Sequence, residues 1–345
     1  MCIRDSLGKA YLFDQNFSAA KTALDAVVNS GVYSLSPCFK DIFSTAGENG
    51  SEHIFSIQAS ANDGTSEGQN ANFGDRLNFP HGGSPFGCCG FHQPTQNLVN
   101  AYKVDENGLP MFGTFNEAEA TLEDAVDPRL DITVGRDDIP YFTFGTHTPA
   151  WIRARSFSGP FSPKKFAYEP GEESAVGWVN TQLSPVNMPL IRYADVLLML
   201  AEAEVELGNL ERARELTNMV RERAAGCAQQ ADGSLGPMET GVANYNISTY
   251  NDTWTNASAA RDAVRFERRL ELALEGHRFF DLRRWGIAEQ VINKYLDEET
   301  PRRSAYLTPA GRYQSPKNDL FPLPTVQIEL SRVDGEERIK QNPGF

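Results

Sequence analysis

The sequence lacks an uninterrupted apolar run of about 18 residues, the length that a membrane-spanning helix requires. Positive charge is also scarce, because 32 Lys and Arg stand against 46 Asp and Glu, for a net charge of −14. This balance argues against a nucleic-acid partner, since binding to phosphates requires a basic face. Residues 1–6 lack the basic and apolar regions of a signal peptide, and Cys2 lacks the apolar stretch that precedes a lipidated cysteine.

Cysteine and histidine are too few and too scattered to indicate a metal site. The five cysteines show no C-x-x-C spacing, and the five histidines show no H-E-x-x-H spacing. Adjacent Cys88 and Cys89 could form a vicinal disulfide, although two idle thiols are the simpler interpretation. No G-x-S-x-G motif and no Gly-rich phosphate loop occurs. These absences favour a protein that binds its ligand without a cofactor and without catalysing a reaction.

The most informative stretch is residues 267–286, which read ERRLELALEGHRFFDLRRWG. Apolar residues here recur at i, i+4, i+7 and i+8, which predicts one buried face of an amphipathic helix. That face comprises Phe266, Leu270, Ala273 and Leu274. Gly276 can end the helix in a left-handed turn, and a second short helix is predicted after it.

Three acids of this stretch, Glu267, Glu271 and Glu275, recur at i, i+4 and i+8. Like charges at this spacing cost roughly 0.2–0.5 kcal/mol per pair on an isolated helix, so cations must lie against them. The nearest cations in sequence are Arg268, Arg269, Arg278, Arg283 and Arg284. The acids could serve as a general acid and base, but a structural ion network is favoured, because paired acids stay ionised and inert. We expect this network to comprise Glu267, Arg268, Glu271, Glu275, Arg278, Asp281 and Arg283.

Two parts of the chain share a helical-hairpin pattern. Residues 7–33 have tetratricopeptide-like spacing, with small residues at Gly8 and Ala20 that would let two helices approach. The pattern recurs at a constant offset of 193 residues, so that residues 195–225 predict a second hairpin. The matched positions are Ala10, Asn16, Ala20 and Val27 in the first copy and Ala203, Asn209, Ala213 and Val220 in the second. One hairpin cannot bury its own apolar face, so the two copies should pack together.

The predicted fold class is mainly α, an α+β arrangement of tetratricopeptide-like hairpins with a long irregular insertion. The predicted segments are a non-native scar (1–6), a residual hairpin (7–33), an insertion of loops and short strands (34–189), and a carboxy-terminal helical region with loops (190–345). A non-helical insertion of this length usually carries function.

Three short elements are predicted inside the insertion. Residues 52–60 and 165–168 predict strands, and residues 94–104 predict a helix with Thr95 as its N-cap.

Aromatic residues on the loops are the candidate ligand contacts, because sugar rings have apolar faces edged by hydroxyl groups. Several of these aromatics lie beside amide, carboxylate or imidazole groups in sequence. The alternative is that each aromatic fills a small core under its own loop. The candidates are Trp254, Trp178, Tyr250, Asn251, Asp252, Trp151, Phe91 and His92. Of these, an exposed Trp254 is expected to contact ligand while contributing little to folding.

Residues 267–286 resemble the signature of the RagB/SusD family of nutrient-binding outer-membrane lipoproteins. Residues 187–224 and 320–345 resemble the same family in the right order, and residues 92–108 do so more weakly. The resemblance implies capture of a nutrient, above all an oligosaccharide, at the outer surface of a bacterial outer membrane. It also implies a TonB-dependent transporter of the SusC type as partner, and neither a cofactor nor an enzymatic activity.

Members of this family normally carry a lipoprotein signal and an amino-terminal helical region. We therefore expect this chain to be a carboxy-terminal fragment whose lipid anchor is missing. Its first helix should then expose Leu7, Tyr11 and Leu12 in part.

Two other functions stay open at the level of sequence. One is a helical-repeat protein-interaction scaffold, which a bare concave helical groove would favour, or a peptide-binding member of the family. A glycan hydrolase would need two carboxylates that face one cleft at roughly 5–9.5 Å. Loop aromatics that converge on one surface would favour carbohydrate binding instead.

Overall fold

Helices dominate the chain, and every sheet that can be described is a two-stranded ribbon. The computed structural model describes residues 2–60, 79–87, 90–172 and 184–345. Two compact units are present, residues 1–275 and residues 276–345. This division differs from the predicted segments, which were separated by type of secondary structure. Within the described ranges, no helix combines the length and the apolar character needed to cross a bilayer.

The first unit contains eight described helices and three antiparallel ribbons. The helices are α1 (Cys2–Phe13), α2 (Phe17–Val28), α3 (Gln96–Ala101), α4 (Leu130–Thr133), α5 (Arg155–Ser158), α6 (Tyr193–Glu206), α7 (Leu210–Ala225) and α8 (Ala257–Glu271). The ribbons pair β1 (His53–Ile57) with β4 (Met188–Arg192), β2 (Val134–Gly135) with β3 (Ser162–Pro163), and β5 (Ala228–Gln229) with β6 (Leu235–Gly236).

The second unit contains four helices and one ribbon among its described residues. They are α9 (His277–Arg284), α10 (Ala288–Glu299), α11 (Ser304–Leu307), α12 (Thr325–Leu330), β7 (Arg332–Val333) and β8 (Glu336–Glu337).

The two helical hairpins pack against each other, as the repeat of 193 residues predicts. Helix α1 packs on α2, α2 packs on α6, and α6 packs on both α7 and α8. The equivalent small residues Ala20 and Ala213 are both fully buried in the main core. Asn16 caps α2, because its Oδ1 accepts a hydrogen bond from the Ala19 N–H at 3.2 Å. The small residues Ala20 and Ala213 therefore let the helices of the two hairpins pack closely.

The amino-terminal helix differs from its predicted boundaries. It begins at Cys2, inside the segment interpreted as a scar, and Asp5 of that segment is fully buried. Leu7 is 41% exposed and Tyr11 is half-buried, but Leu12 is only 2% exposed because it packs into the main core. The predicted exposure therefore holds for two of the three residues and is wrong for Leu12.

Helix α8 ends at Glu271, earlier than the predicted end at Gly276. A side chain from outside the helix donates hydrogen bonds to the backbone carbonyls at this end. Lys165 Nζ donates to Glu271 O and to Ala273 O, both at 2.9 Å. Leu274 then adopts a left-handed backbone with φ 65°, and Gly276 precedes α9 instead of ending α8. The helix stops because its terminal carbonyls have partners outside the helix.

The short elements predicted inside the insertion are partly present. Strand β1 and helix α3 form as expected, and the Thr95 Oγ1 accepts a hydrogen bond from the Leu98 N–H at 3.2 Å. The strand predicted at residues 165–168 does not form, and the ribbon strand β3 lies just before it.

The insertion has an aromatic core of its own. Its rings meet mostly edge to face, and Phe79 stacks on Phe86 with centroids 4.9 Å apart. The aromatic members are Phe39, Phe43, Phe79, Phe86, Tyr141, Phe142, Trp151, Phe166 and Tyr168. A disulfide joins Cys38 to Cys227 across 189 residues of sequence, a pairing that the cysteine spacing did not reveal. Cys88 and Cys89 lie outside the described residues.

Buried lysines hold the loops around this core. Lys40 Nζ donates to the carbonyl oxygens of Phe43 and Ala167, at 2.7 and 2.6 Å. Lys164 Nζ donates to two further carbonyls and to Gln229 Oε1, the last at 2.7 Å. Burial lowers the pKa of Lys40 to about 8 and that of Lys164 to about 7. Hydrogen bonds from buried, desolvated lysine ammonium groups thus hold the loops together.

The difference in free energy of unfolding between the wild type and a Lys164→Met variant should depend on pH, because burial lowers the pKa of Lys164. The lowered pKa means that the unfolded chain binds more protons than the folded chain between pH 7 and about 10. The free energy of unfolding of the wild type, relative to Lys164→Met, should therefore rise by about 1 kcal/mol per pH unit over that window. Urea unfolding across the window measures it.

The control for this experiment is Lys294→Met, whose side chain is 68% exposed. Its difference from the wild type should not vary with pH over the same window. A flat or falling difference for Lys164→Met would contradict the prediction.

Candidate functional site

Ten buried charged side chains of the first unit form one connected ion network. Five are carboxylates and five are cations, and each side chain is at most 4% exposed. The members are Glu52, Asp127, Glu267, Glu271, Glu275, Lys165, Arg129, Arg192, Arg221 and Arg223. Equal numbers of each sign let the charges compensate one another where water cannot.

Glu271 is the centre of this network. Arg192 Nη1 lies 2.6 Å from its Oε1, Arg129 Nη1 lies 2.8 Å from its Oε2, and Arg223 forms a further salt bridge. Burial alone would raise the pKa of Glu271, but Arg223, Arg192 and Arg129 together hold it well below its usual range. An acid in this state stays ionised and cannot donate a proton to a substrate.

Glu267 and Glu275 are paired in the same way. Glu267 Oε2 lies 2.9 Å from Arg221 Nη1, and its Oε1 lies 2.7 Å from Arg129 Nη1 in a charge contact without hydrogen-bond geometry. Glu275 lies within 2.8 Å of both Arg192 Nε and Lys165 Nζ. All three acids of the signature therefore contact cations.

The cations that pair with these acids are not the ones adjacent in sequence. Arg268 turns to Asp195 of α6 at 2.8 Å, and Arg269 contacts Asn97 and the ring of Phe115. A residue one position along a helix points about 100° away, so neighbours of an inward-facing acid face other elements. The arginines that contact Glu267 and Glu271 thus include Arg129, Arg192, Arg221 and Arg223 from distant segments, which sequence adjacency did not indicate.

The remaining members of the expected network lie in the second unit. Asp281 forms a salt bridge with Arg284 at 2.8 Å. Arg278 lies over the ring of Trp285 and Arg283 lies over the ring of Phe279, each at 5.9 Å. Cation–π contacts therefore accompany the Asp281–Arg284 ion pair in this unit.

One group of side chains imitates a catalytic triad. His147 Nδ1 lies 2.9 Å from Asp137 Oδ1, and His147 Nε2 lies 2.9 Å from Ser162 Oγ. However, His147 and Ser162 are both fully buried, and Ser162 pairs with Gly135 in the β2–β3 ribbon. Burial also lowers the pKa of His147. No substrate carbonyl can reach this serine, so the group fastens the loop and is not a nucleophile.

Two candidate aromatics lie in the interior. Trp151 is 6% exposed and belongs to the aromatic core, with its ring 5.5 Å from that of Tyr141. Tyr250 is 8% exposed, because Asn218 of α7 forms two hydrogen bonds with its backbone and Arg221 covers its ring at 5.0 Å. Neither ring offers a face on which a sugar could stack.

Trp254 is half-buried, which differs from the exposed residue expected from its loop. Its ring packs on the main helical core and meets Tyr250 edge to face at 5.2 Å. Asn251 and Asp252 beside it are exposed. Removing Trp254 would therefore cost packing energy, contrary to the expectation that it contributes little to folding. The other candidate tryptophan, Trp178, lies outside the described residues.

Phe91 and His92 are exposed at the surface. Backbone hydrogen bonds connect the segment before them to residues 79–83, and residues 79–83 to residues 150–151. Phe91 is 54% exposed, and the preceding Gly90 N–H donates to Phe79 O at 2.9 Å. The His81 N–H donates to Trp151 O at 2.8 Å, and the Gly83 N–H donates to Ala150 O at 3.0 Å. We call residues 79–87, 90–92 and 148–158 the Phe91 surface.

Glycine at position 82 makes the close approach of these two loops feasible. Its φ is +68°, and a Cβ there would lie 2.5 Å from Ala150 O. Beneath the loops, Trp151 packs against the rings of Tyr141 and His147. Phe157 on α5 is 46% exposed and lies six residues after Trp151 in the segment 148–158. The surface is therefore built on a rigid aromatic base.

Comparison with known proteins relates this geometry to one family. The profile of the SusD family matches residues 51–345. SusD-like protein P38 of Formosa agariphila is 33% identical over 114 residues, which make up 33% of this chain and 20% of that protein.

Two solved structures share the fold. A SusD superfamily protein from Bacteroides vulgatus has a TM-score of 0.61 at 23% identity, over 95% of this chain and 60% of that chain. Surface glycan-binding protein A from Bacteroides fluxus has a TM-score of 0.62 at 21% identity, over 98% of this chain and 61% of that chain. The predicted helical fold class is confirmed, and the chain spans less than two thirds of the length of these relatives.

Substituting Glu271 with Gln should destabilise the protein strongly. The change leaves Arg192, Arg129 and Arg223 buried with too little compensating charge, a cost on the order of 3–5 kcal/mol in free energy of unfolding. Glu215→Gln is the matched control, because Glu215 is 51% exposed and forms its salt bridge with the surface residue Arg212. Urea unfolding near neutral pH measures both variants. Equal stability of Glu271→Gln and the wild type would show that the network contributes little.

Proposed function

The chain belongs to the SusD family, and we propose that it binds an oligosaccharide at the outer surface of a bacterial outer membrane. In this proposal a lipid anchor holds the protein at the membrane. The bound glycan then passes to a TonB-dependent transporter of the SusC type. The membership supports the nutrient-binding role, and the naming of the Bacteroides fluxus relative as a surface glycan-binding protein supports the ligand class.

The disulfide supports a position outside the cytoplasm. Disulfides persist in oxidising compartments and on cell surfaces, whereas cytosolic thiols are kept reduced. Cys38 and Cys227 lie with their Cα atoms 5.2 Å apart, within the range of ordinary disulfides.

The Phe91 surface is the observation that carries the proposal of a glycan ligand. Flat aromatic rings bind the apolar faces of sugars, and they bind best when the rings do not need to be ordered first. Phe91 and Phe157 are exposed on loops that backbone hydrogen bonds and an aromatic core hold in place. A sugar would thus meet a preformed apolar platform.

We further propose that binding occurs without catalysis. The signature acids are buried and paired with cations, and Ser162 of the triad-like group is fully buried. A hydrolase of the usual kind would need two carboxylates that face one open cleft. No described feature of the chain specifically favours a peptide-binding or scaffold role over glycan binding.

Substituting Phe91 with Ala should weaken glycan binding roughly tenfold, by analogy with nucleic-acid bases, whose stacking on an aromatic ring is worth about 1–3 kcal/mol. A glycan array first identifies a bound oligosaccharide, and calorimetry then compares the two proteins. Melting temperature should stay near that of the wild type, since Phe91 is largely exposed.

Phe13→Ala provides the matched control, because Phe13 is 44% exposed on the helical scaffold. This variant should bind glycan as the wild type does. Unchanged affinity in Phe91→Ala would place the site elsewhere, and an array with no bound glycan would overturn the proposed function itself.

A further inference from the structure

Two long stretches of this acidic chain contain no acid at all. Asp and Glu make up 46 of the 345 residues, yet residues 79–104 and 139–168 include neither. The same stretches contain Arg153, Arg155, His81 and His92. The two acid-free stretches also carry the exposed rings of Phe91 and Phe157.

The fold brings these two acid-free stretches together. Backbone hydrogen bonds join His81 to Trp151 and Gly83 to Ala150, and Gln93 Nε2 donates to Phe161 O at 3.2 Å. The Phe91 surface lies wholly within the two stretches. A region poor in negative charge is thus present on a protein whose net charge is −14.

Arginine supplies positive charge to this region. Arg153 lies two residues after Trp151, is exposed, and forms no salt bridge with any residue that the structure describes. Arg155 is partly exposed and its Nη2 lies 2.5 Å from Asp137 Oδ2. The charge of Asp137 is thus paired with Arg155, and the exposed Asp138 stands at the border of the second stretch. Arg153 is therefore the cation available to a ligand.

We propose that the glycan bound at the Phe91 surface is anionic, carrying carboxylate or sulfate groups. This inference rests on the proposed function and specifies its ligand. A negative glycan is repelled by most of an acidic protein, so its site must exclude acids and provide a cation. Guanidinium groups bind carboxylate and sulfate through paired hydrogen bonds, while Phe91 and Phe157 offer apolar contact to the sugar rings.

The test compares matched pairs of polysaccharides that differ in charge. One pair is polygalacturonate and its methyl ester, which separates carboxylate from its neutral form. The other pair is dextran sulfate and dextran, which separates the effect of sulfate groups from that of the neutral sugar chain. Calorimetry at low salt should show at least one charged member bound about tenfold more tightly than its neutral counterpart. The charged pair that responds identifies carboxylate or sulfate as the recognised group.

Charge reversal at Arg153 gives the decisive variant. Arg153→Glu should lose the preference for the charged polysaccharide, a drop of about tenfold or more, while keeping the wild-type melting temperature. Arg212→Glu makes the same change of charge on α7, where Arg212 is 42% exposed, and should keep the preference. Equal binding of charged and neutral forms, or an unchanged preference in Arg153→Glu, overturns the inference.

Failure of this inference differs visibly from failure of the proposed function. Binding of neutral glycans alone, lost in Phe91→Ala, would overturn the anionic ligand and leave glycan binding in place. Binding of no polysaccharide, charged or neutral, to the protein would overturn both.

Discussion

The packing of the first unit depends on compensating charges that are buried away from water. The carboxylate of Glu271 meets arginines from β4, α7 and the segment before α4, so one acid joins elements that are far apart in sequence. Each of these charges would be costly alone, and the network is tolerable only when complete. The arrangement therefore selects one relative placement of hairpin, ribbon and loop, because any other leaves an ion without a partner.

In the irregular insertion, too, buried charges need partners, which here are backbone carbonyls and aromatic rings. The loops of the insertion that the structure describes lack long ladders of backbone hydrogen bonds, and buried ammonium groups and aromatic rings hold them in place instead. Lys165 links the end of α8 to the aromatic core, where its Nζ lies 4.6 Å from the ring centroid of Phe39. The end of α8 and the aromatic core of the insertion are thus joined through one buried side chain. A binding surface built on such loops is ordered before any ligand arrives.

Local patterns in the sequence predicted what local physics determines. Apolar periodicity and the repeat of Ala20 at Ala213 predicted the hairpins and their packing, and Thr95 predicted a helix start. The arginine partners of Glu271 could not be predicted, because they come from distant segments and are chosen by the fold. For the same reason, loop aromatics such as Tyr250 and Trp151 looked alike in sequence to Phe91, although burial separates them in the structure.

The disulfide between Cys38 and Cys227 makes a covalent ring of everything between them, including β1, the aromatic loops and the second hairpin. A protease that cuts one exposed loop inside this ring opens the backbone but releases no fragment, since both ends stay attached through the sulfur atoms. Wherever proteases are present, the protein would therefore survive a single cut with its loops still held to the helices. Covalent topology would then extend the working life of the molecule, independently of how stably it folds.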